Sequence, residues 1–159
     1  MVMGTFRKCL IGTLATLSFG PAVAQTPSRE QAIKVAESVV KSFMAAYDTR
    51  DPKAVSALFL PNAIVLDATG TVSLGREAIE RSFGEGLKNL GGHYVIVIKD
   101  AIPLGSDVVV ATDEVKIDGV GQHSDKTINL RAVITLDKTA DGWRYAAISA
   151  QKVVSGTGQ

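Results

Sequence analysis

Few side chains in this sequence could do chemistry, and their spacing narrows the choice. The imidazoles are His93 and His123. A metal site draws three or four ligands together, and neither histidine has a second ligand at helical or strand spacing, so no metal is expected. Asp113 and Glu114 are adjacent in an apolar run that reads as a strand, which sends them to opposite faces. No G-x-S-x-G elbow marks a serine nucleophile, and no glycine-rich fingerprint marks a phosphate cradle; no cofactor is expected. Arg131 sits inside another such run, between Leu130 and Ala132. It could pair with Glu114 or Asp113 across strands, or anchor an anionic group of a ligand or a dimer contact. Ser149 and Gln151 share a strand face with Trp143, Tyr145 and Ala147. If that face lines a pocket, they are the few polar groups an apolar site uses to orient a ligand. Asp67 stands before Ala68-Thr69-Gly70, a good first residue for a β-turn.

The elements that must position these residues fall into two regions. Residues 28 to about 90 read as helices. Ser28 with Gln31 three places on is a capping-box pattern, and Val39, Val40, Phe43 and Tyr47 recur at helical spacing. Asp51-Pro52 starts a second, short helix with an N-cap carboxylate and proline at its first position. Leu60-Pro61 is expected to end it, because the residue before proline leaves the helical region. Ala63 to Asp67 reads as a strand with Thr71 to Leu74 as its hairpin partner. Gly75 leads into a third helix with Ile79, Phe83 and Leu87 on one face, closed by Gly91-Gly92.

Four strands are predicted next: His93 to Pro103, Asp107 to Ile117, Thr127 to Leu136 and Trp143 to Val154. Their short connections imply an antiparallel meander. Helices followed by a meander make an α+β domain with the helices on one face of the sheet. Tyr94, Ile96 and Ile98 point one way, but Val95 and Val97 point the other, so both faces are apolar in places. A sheet face turned to water should alternate cleanly. The second face is therefore expected to be covered, most simply by an identical subunit.

Length and charge set the frame. The chain has 159 residues, the scale of one domain. Seventeen Lys and Arg against sixteen Asp and Glu leave no broad basic field for nucleic acid. Residues 1–24 read as a secretory signal peptide. Arg7 and Lys8 form the basic region, Cys9 to Phe19 an apolar run too short to span a bilayer, and Ala22-Val23-Ala24 the small-x-small cleavage pattern. Cleavage after Ala24 leaves residues 25–159 as one domain, with 15 basic and 16 acidic residues and no cysteine. A cysteine-free chain suits an oxidising compartment, so a periplasmic or secreted address is expected.

The order of elements resembles the nuclear transport factor 2-like superfamily, particularly its SnoaL-like bacterial branch. The resemblance rests on Phe43-Met44-Ala45-Ala46-Tyr47-Asp48, on Asp51-Pro52 through Phe59, on Pro61 through Asp67, on Gly75-Arg76-Glu77-Ala78-Ile79 and on Asp141-Gly142-Trp143-Arg144. It implies N-terminal helices packed on a curved antiparallel sheet that forms a cone around an apolar cavity, and dimerisation through the open sheet face. Functions within such folds vary, so the fold guides function only by association.

In ketosteroid isomerases of this superfamily the proton-shuttling aspartate lies on the first strand just before its turn, which falls on Asp67. A carboxylate at an apolar cavity has its pKa raised toward neutrality, where it can take and return a proton. The plain turn role of Asp67 stands beside this reading. The resemblance also places the family's oxyanion-donating tyrosine on Phe43, which has no hydroxyl, and its second acid near Ala132. Without donors aimed at a developing enolate the largest catalytic term is missing, so steroid isomerisation is disfavoured. Tyr47, one turn from Phe43, is the remaining candidate donor.

The expectation is therefore a small, largely apolar molecule bound in a cavity lined by Phe43, Tyr47, Phe83, Trp143, Tyr145, Ser149 and Gln151. The alternatives are a cofactor-free isomerase, cyclase or dehydratase using Asp67, and a dimerisation scaffold with no open pocket.

Overall fold

The computed structural model describes residues 25–89, 91–121 and 126–153. The expected signal peptide and His123 lie outside them.

Helix α1 spans Arg29–Asp48. The capping box forms: the Gln31 backbone N–H donates to Ser28 Oγ at 3.2 Å, and the Ser28 N–H donates to Gln31 Oε1 at 2.7 Å. The helix buries Ala32, Ala36, Val39, Val40, Phe43 and Tyr47, one stripe at helical spacing. Helix α2, Pro52–Ser56, starts where the Asp51-Pro52 pair predicts, and the Asp51 carboxylate accepts from the Lys53 N–H at 2.9 Å.

Strand β1 covers Phe59–Leu66 and so begins before the expected Ala63. Leu60-Pro61 lies inside the strand. The same steric bias that removes the pre-proline residue from the helical region places it in the extended one. The ladder tolerates the missing proline N–H because the pairing of β1 is irregular between Phe59 and Ile64. Strand β2 is Val72–Leu74, paired antiparallel to β1. Helix α3, Arg76–Asn89, fully buries only Ile79; Phe83 and Leu87 on its stripe remain half-buried.

The four long strands are β3 Gly91–Pro103, β4 Val108–Val120, β5 Ile128–Thr139 and β6 Gly142–Lys152. Gly91-Gly92 opens β3 rather than standing outside it. Gly92 has φ +82°, and a Cβ there would lie 2.8 Å from the Asp118 carbonyl oxygen, so glycine permits both the turn and the close strand approach.

The strands form one six-stranded sheet in the order β2-β1-β6-β5-β4-β3. Strands β3 to β6 are the antiparallel meander. The expectation of an entirely antiparallel sheet needs correction at one place: β1 pairs with β6 in parallel, joining the beginning of the domain to its end. Short-range turn signals specify hairpins, but this pairing joins segments about eighty residues apart, so no turn encodes it.

The sheet is curved, unclosed and covered on its inner face by the helices, which is the expected α+β architecture. Along β4 the inner face carries Val109, Ala111, Asp113, Val115 and Ile117. Six aromatic rings fill the space between α1, α3 and the sheet. Phe43 meets Phe83 and Tyr94 edge-on at 5.5 Å between ring centroids, and Phe59 stacks on Tyr145 at 4.9 Å. Tyr47 donates from its hydroxyl to the Gly91 carbonyl at 3.1 Å, tying the end of α1 to the start of β3.

Candidate functional site

The concave side of the sheet is not filled to its end. Past the aromatic cluster an apolar cavity of about 320 Å³ opens between α1, α3 and the inner face of β3 to β6. That volume is in the range of small-molecule sites. Phe43, Tyr47, Phe83 and Tyr145 line it, as do Tyr94, Ile96, Val115 and Leu130. The space has a sequence-level cause. One row across the sheet runs Ile98, Asp113, Ala132, Ala150. The two alanines are too short to reach the helices, so the row leaves room beside Asp113.

Asp113 is the polar group of this wall. It is 4% exposed, and its Oδ1 has no hydrogen-bond partner. Burial raises its carboxyl pKa to about 6, only partly opposed by the backbone N–H of Ala132 across the strand gap. The resemblance places the second acid of ketosteroid isomerases near Ala132. In this chain alanine stands there and the carboxylate lies one strand over. The signal for Asp113 is in the sequence: it interrupts an every-second-residue apolar face formed by Val109, Ala111, Val115 and Ile117.

Asp67 also borders the cavity, at the β1–β2 turn, but its carboxylate is occupied. Oδ1 accepts from the Thr69 N–H at 2.8 Å, the Thr71 N–H at 2.9 Å and the Thr69 hydroxyl at 2.7 Å. Desolvation raises the pKa of this half-buried group, but these hydrogen bonds together outweigh it and hold the carboxyl below the usual carboxylate range. A proton shuttle near neutrality needs the opposite shift.

The remaining expected site residues separate. Ser149 and Gln151 do not face the cavity. They line a shallow groove on the outer face of the sheet, with Arg131 and Val133. The expectation assumed unbroken alternation from Tyr145. The pairing of β5 and β6 shifts there: Leu136 opposes Tyr145, Thr135 opposes Ala147, and Ala146 has no opposite residue. This bulge reverses the phase, so Ile148 and Ala150 follow Tyr145 inward while Ala147, Ser149 and Gln151 turn out. Trp143 lies away from the cavity, in a separate groove with Val35, Ser38 and Leu58.

Arg131 stands opposite Glu114 on the outer face, while Glu114 ion-pairs with Lys99 at 3.3 Å. His93 is exposed, with Nδ1 3.1 Å from Asp48 Oδ1. Among the described residues no three His, Cys, Asp or Glu side chains gather in a way that could hold a metal ion.

Comparison with known proteins places this geometry. The family model described as a SnoaL-like domain matches residues 36–150. A ketosteroid isomerase-like protein from Erwinia carotovora atroseptica SCRI1043 superposes with a TM-score of 0.66 at 15% identity, covering 78% of this chain and 98% of that one. An uncharacterized protein with a cystatin-like fold from Caulobacter vibrioides gives 0.68 at 16% identity, covering 79% and 92%. A provisionally assigned dehydratase of the nuclear transport factor 2-like family from Streptomyces avermitilis gives 0.67 at 17% identity, covering 79% and 99%. At these identities the structural likeness speaks for the fold alone. A comparison with curated proteins finds no match. With a family match across most of its described residues, and with helices and a curved sheet arranged as in these neighbours, the chain belongs to the SnoaL-like domain family.

Proposed function

We propose that this protein binds a small, largely apolar molecule in the cavity of its cone. The observation that carries this reading is the open volume of about 320 Å³ behind an otherwise packed aromatic cluster. A scaffold whose only role was dimerisation would gain by filling that space, since an unfilled apolar cavity costs stability in proportion to its volume. The half-buried stripe of α3 fits the same reading: Phe83 packs on the aromatic cluster and also borders the cavity.

A second reading, cofactor-free acid–base catalysis, draws on the structural likeness to an isomerase-like protein and a provisionally assigned dehydratase. Asp67, placed at the cavity, is its original candidate. The hydrogen bonds on that carboxylate weigh against it, and binding remains the better supported function.

Two further features belong to the proposal. Residues 1–24 act as a secretion signal that delivers the domain to the periplasm or the exterior; no helix among the described residues is long and apolar enough to cross a membrane. The protein forms a homodimer through the outer sheet face, where Val95, Val97 and Val133 are each about half exposed.

Native mass spectrometry of the protein purified from its own host tests the reading. A retained small molecule, an intact mass lacking residues 1–24 and a dimer in sedimentation are the expected results. A ligand-free protein unshifted in melting temperature by any apolar compound of suitable size overturns the binding function.

A further inference from the structure

We propose that the cavity selects apolar molecules carrying a cationic amine, with Asp113 as the group that receives the ammonium. The proposal rests on the cavity-binding reading above and names the ligand class.

Three observations support it. One oxygen of Asp113 is an orphan: the residue is 4% exposed and lines the cavity, and its Oδ1 has no hydrogen-bond partner among the described residues. A buried acceptor left unpaired is costly, and a ligand that supplies charged donors recovers that cost. The space beside it is real, because Ala132 and Ala150 continue its row with short side chains. The cavity wall also carries the faces and edges of Phe43, Tyr94 and Tyr145. Aromatic faces attract cations, and more strongly when water is excluded.

The charges around the cavity point the same way. Asp67 lines it and is held ionised by its turn. Among the described residues Lys152 is the cation of the lining, and it is exposed at the last residue of β6. The other titratable groups facing Asp113 are phenols, Tyr47 from α1, Tyr94 from β3 and Tyr145 from β6, whose pKa values burial raises, so they stay neutral. Glu114, Arg131 and Lys99 lie on the opposite face of the sheet. Among the described residues the interior therefore offers acceptors and negative potential to a buried cation, and no buried cation to an anionic ligand.

A matched pair of probes tests this. Isothermal titration calorimetry compares 1-naphthylmethylamine with its neutral isostere 1-naphthylmethanol, from pH 5 to pH 8. At pH 8 the amine binds at least about tenfold more tightly. Its advantage shrinks as the pH falls through about 6, where Asp113 takes up a proton and ceases to be an anion. Asp113→Asn abolishes the preference while the alcohol still binds. Glu114→Gln, on the outer face, keeps it. Equal binding of the two probes at pH 8 overturns the inference and leaves cavity binding standing. An alcohol whose binding tightens on acidification also overturns it, since Asp113 then acts as a neutral donor. Binding of neither probe overturns the amine preference, and cavity binding falls with it only if no apolar compound of suitable size shifts the melting temperature.

Discussion

The β1–β2 turn and the middle of β4 each hold one aspartate against the same cavity, and the two carboxylates are driven in opposite directions. At the turn, Asp67 lies within reach of two backbone N–H groups and a threonine hydroxyl, all supplied by the next four residues. Its charged form is stabilised locally. In the wall, Asp113 has apolar neighbours on the same face of its strand and alanine beside it, the Ala132 N–H is the one donor that helps its charged form, and its Oδ1 has no partner. Its charged form is penalised. Proximity to a cavity does not set the chemistry of a carboxylate; the local count of donors does.

The contrast can be broken most severely by adding a second acid to the wall. Val115→Asp, on the same inner face, is expected to destabilise the fold by on the order of 3 kcal/mol or more in urea unfolding at pH 8, because it buries another uncompensated charge. Thr112→Asp on the outer face is expected to cost far less, since its carboxylate stays in water.

The next effect has the opposite sign. Asp113→Asn removes the buried charge and is expected to stabilise the protein by on the order of 2–3 kcal/mol at pH 8. The folded Asp113 holds its proton up to about pH 6, whereas the unfolded chain releases it near 4. Between those values the folded state binds more protons, so wild-type stability falls as pH rises through the window. The advantage of the variant should therefore vanish by about pH 4 in thermal melts. An advantage independent of pH would show that Asp113 binds its proton equally in the folded and unfolded states, as a solvated carboxylate does.

Asp67→Ala should lose about 1 kcal/mol at pH 7, through the unsatisfied turn. Here the folded pKa is depressed, so the contribution is present above the unfolded value and disappears as pH falls through the folded one. The pH slopes of the two aspartate variants should thus run in opposite directions. The smallest effect is expected for Arg131→Ala, within about 0.5 kcal/mol by urea unfolding, because the side chain is exposed on the outer face.

Much of the fold was legible because its signals are local. The Ser28–Gln31 box, the Asp51-Pro52 start and the alternation of β3 and β4 each lie within a few residues, and each forms where expected. The cavity was legible in part. Phe43, Tyr47, Phe83 and Tyr145 meet there because helical and strand periods fix which residues share a face. Ser149 and Gln151 were misplaced by a single bulged residue, Ala146, whose position depends on the β5 register and leaves no mark in β6 itself. Asp113 was visible as an adjacent acid pair with Glu114, but its isolation was not.

The sequence alone determined the elements, the helix caps, the apolar faces and the family, because propensity, capping and periodicity act over short stretches of chain. Only the tertiary structure decided that β1 returns to pair with β6, that two alanines from different strands open a space, and that one carboxylate faces it with an oxygen left unpaired. Those outcomes depend on register between distant strands, and burial is a property of what surrounds a residue in space. The same residue type, aspartate, became a turn cap at position 67 and an unpartnered acid at position 113 for that reason.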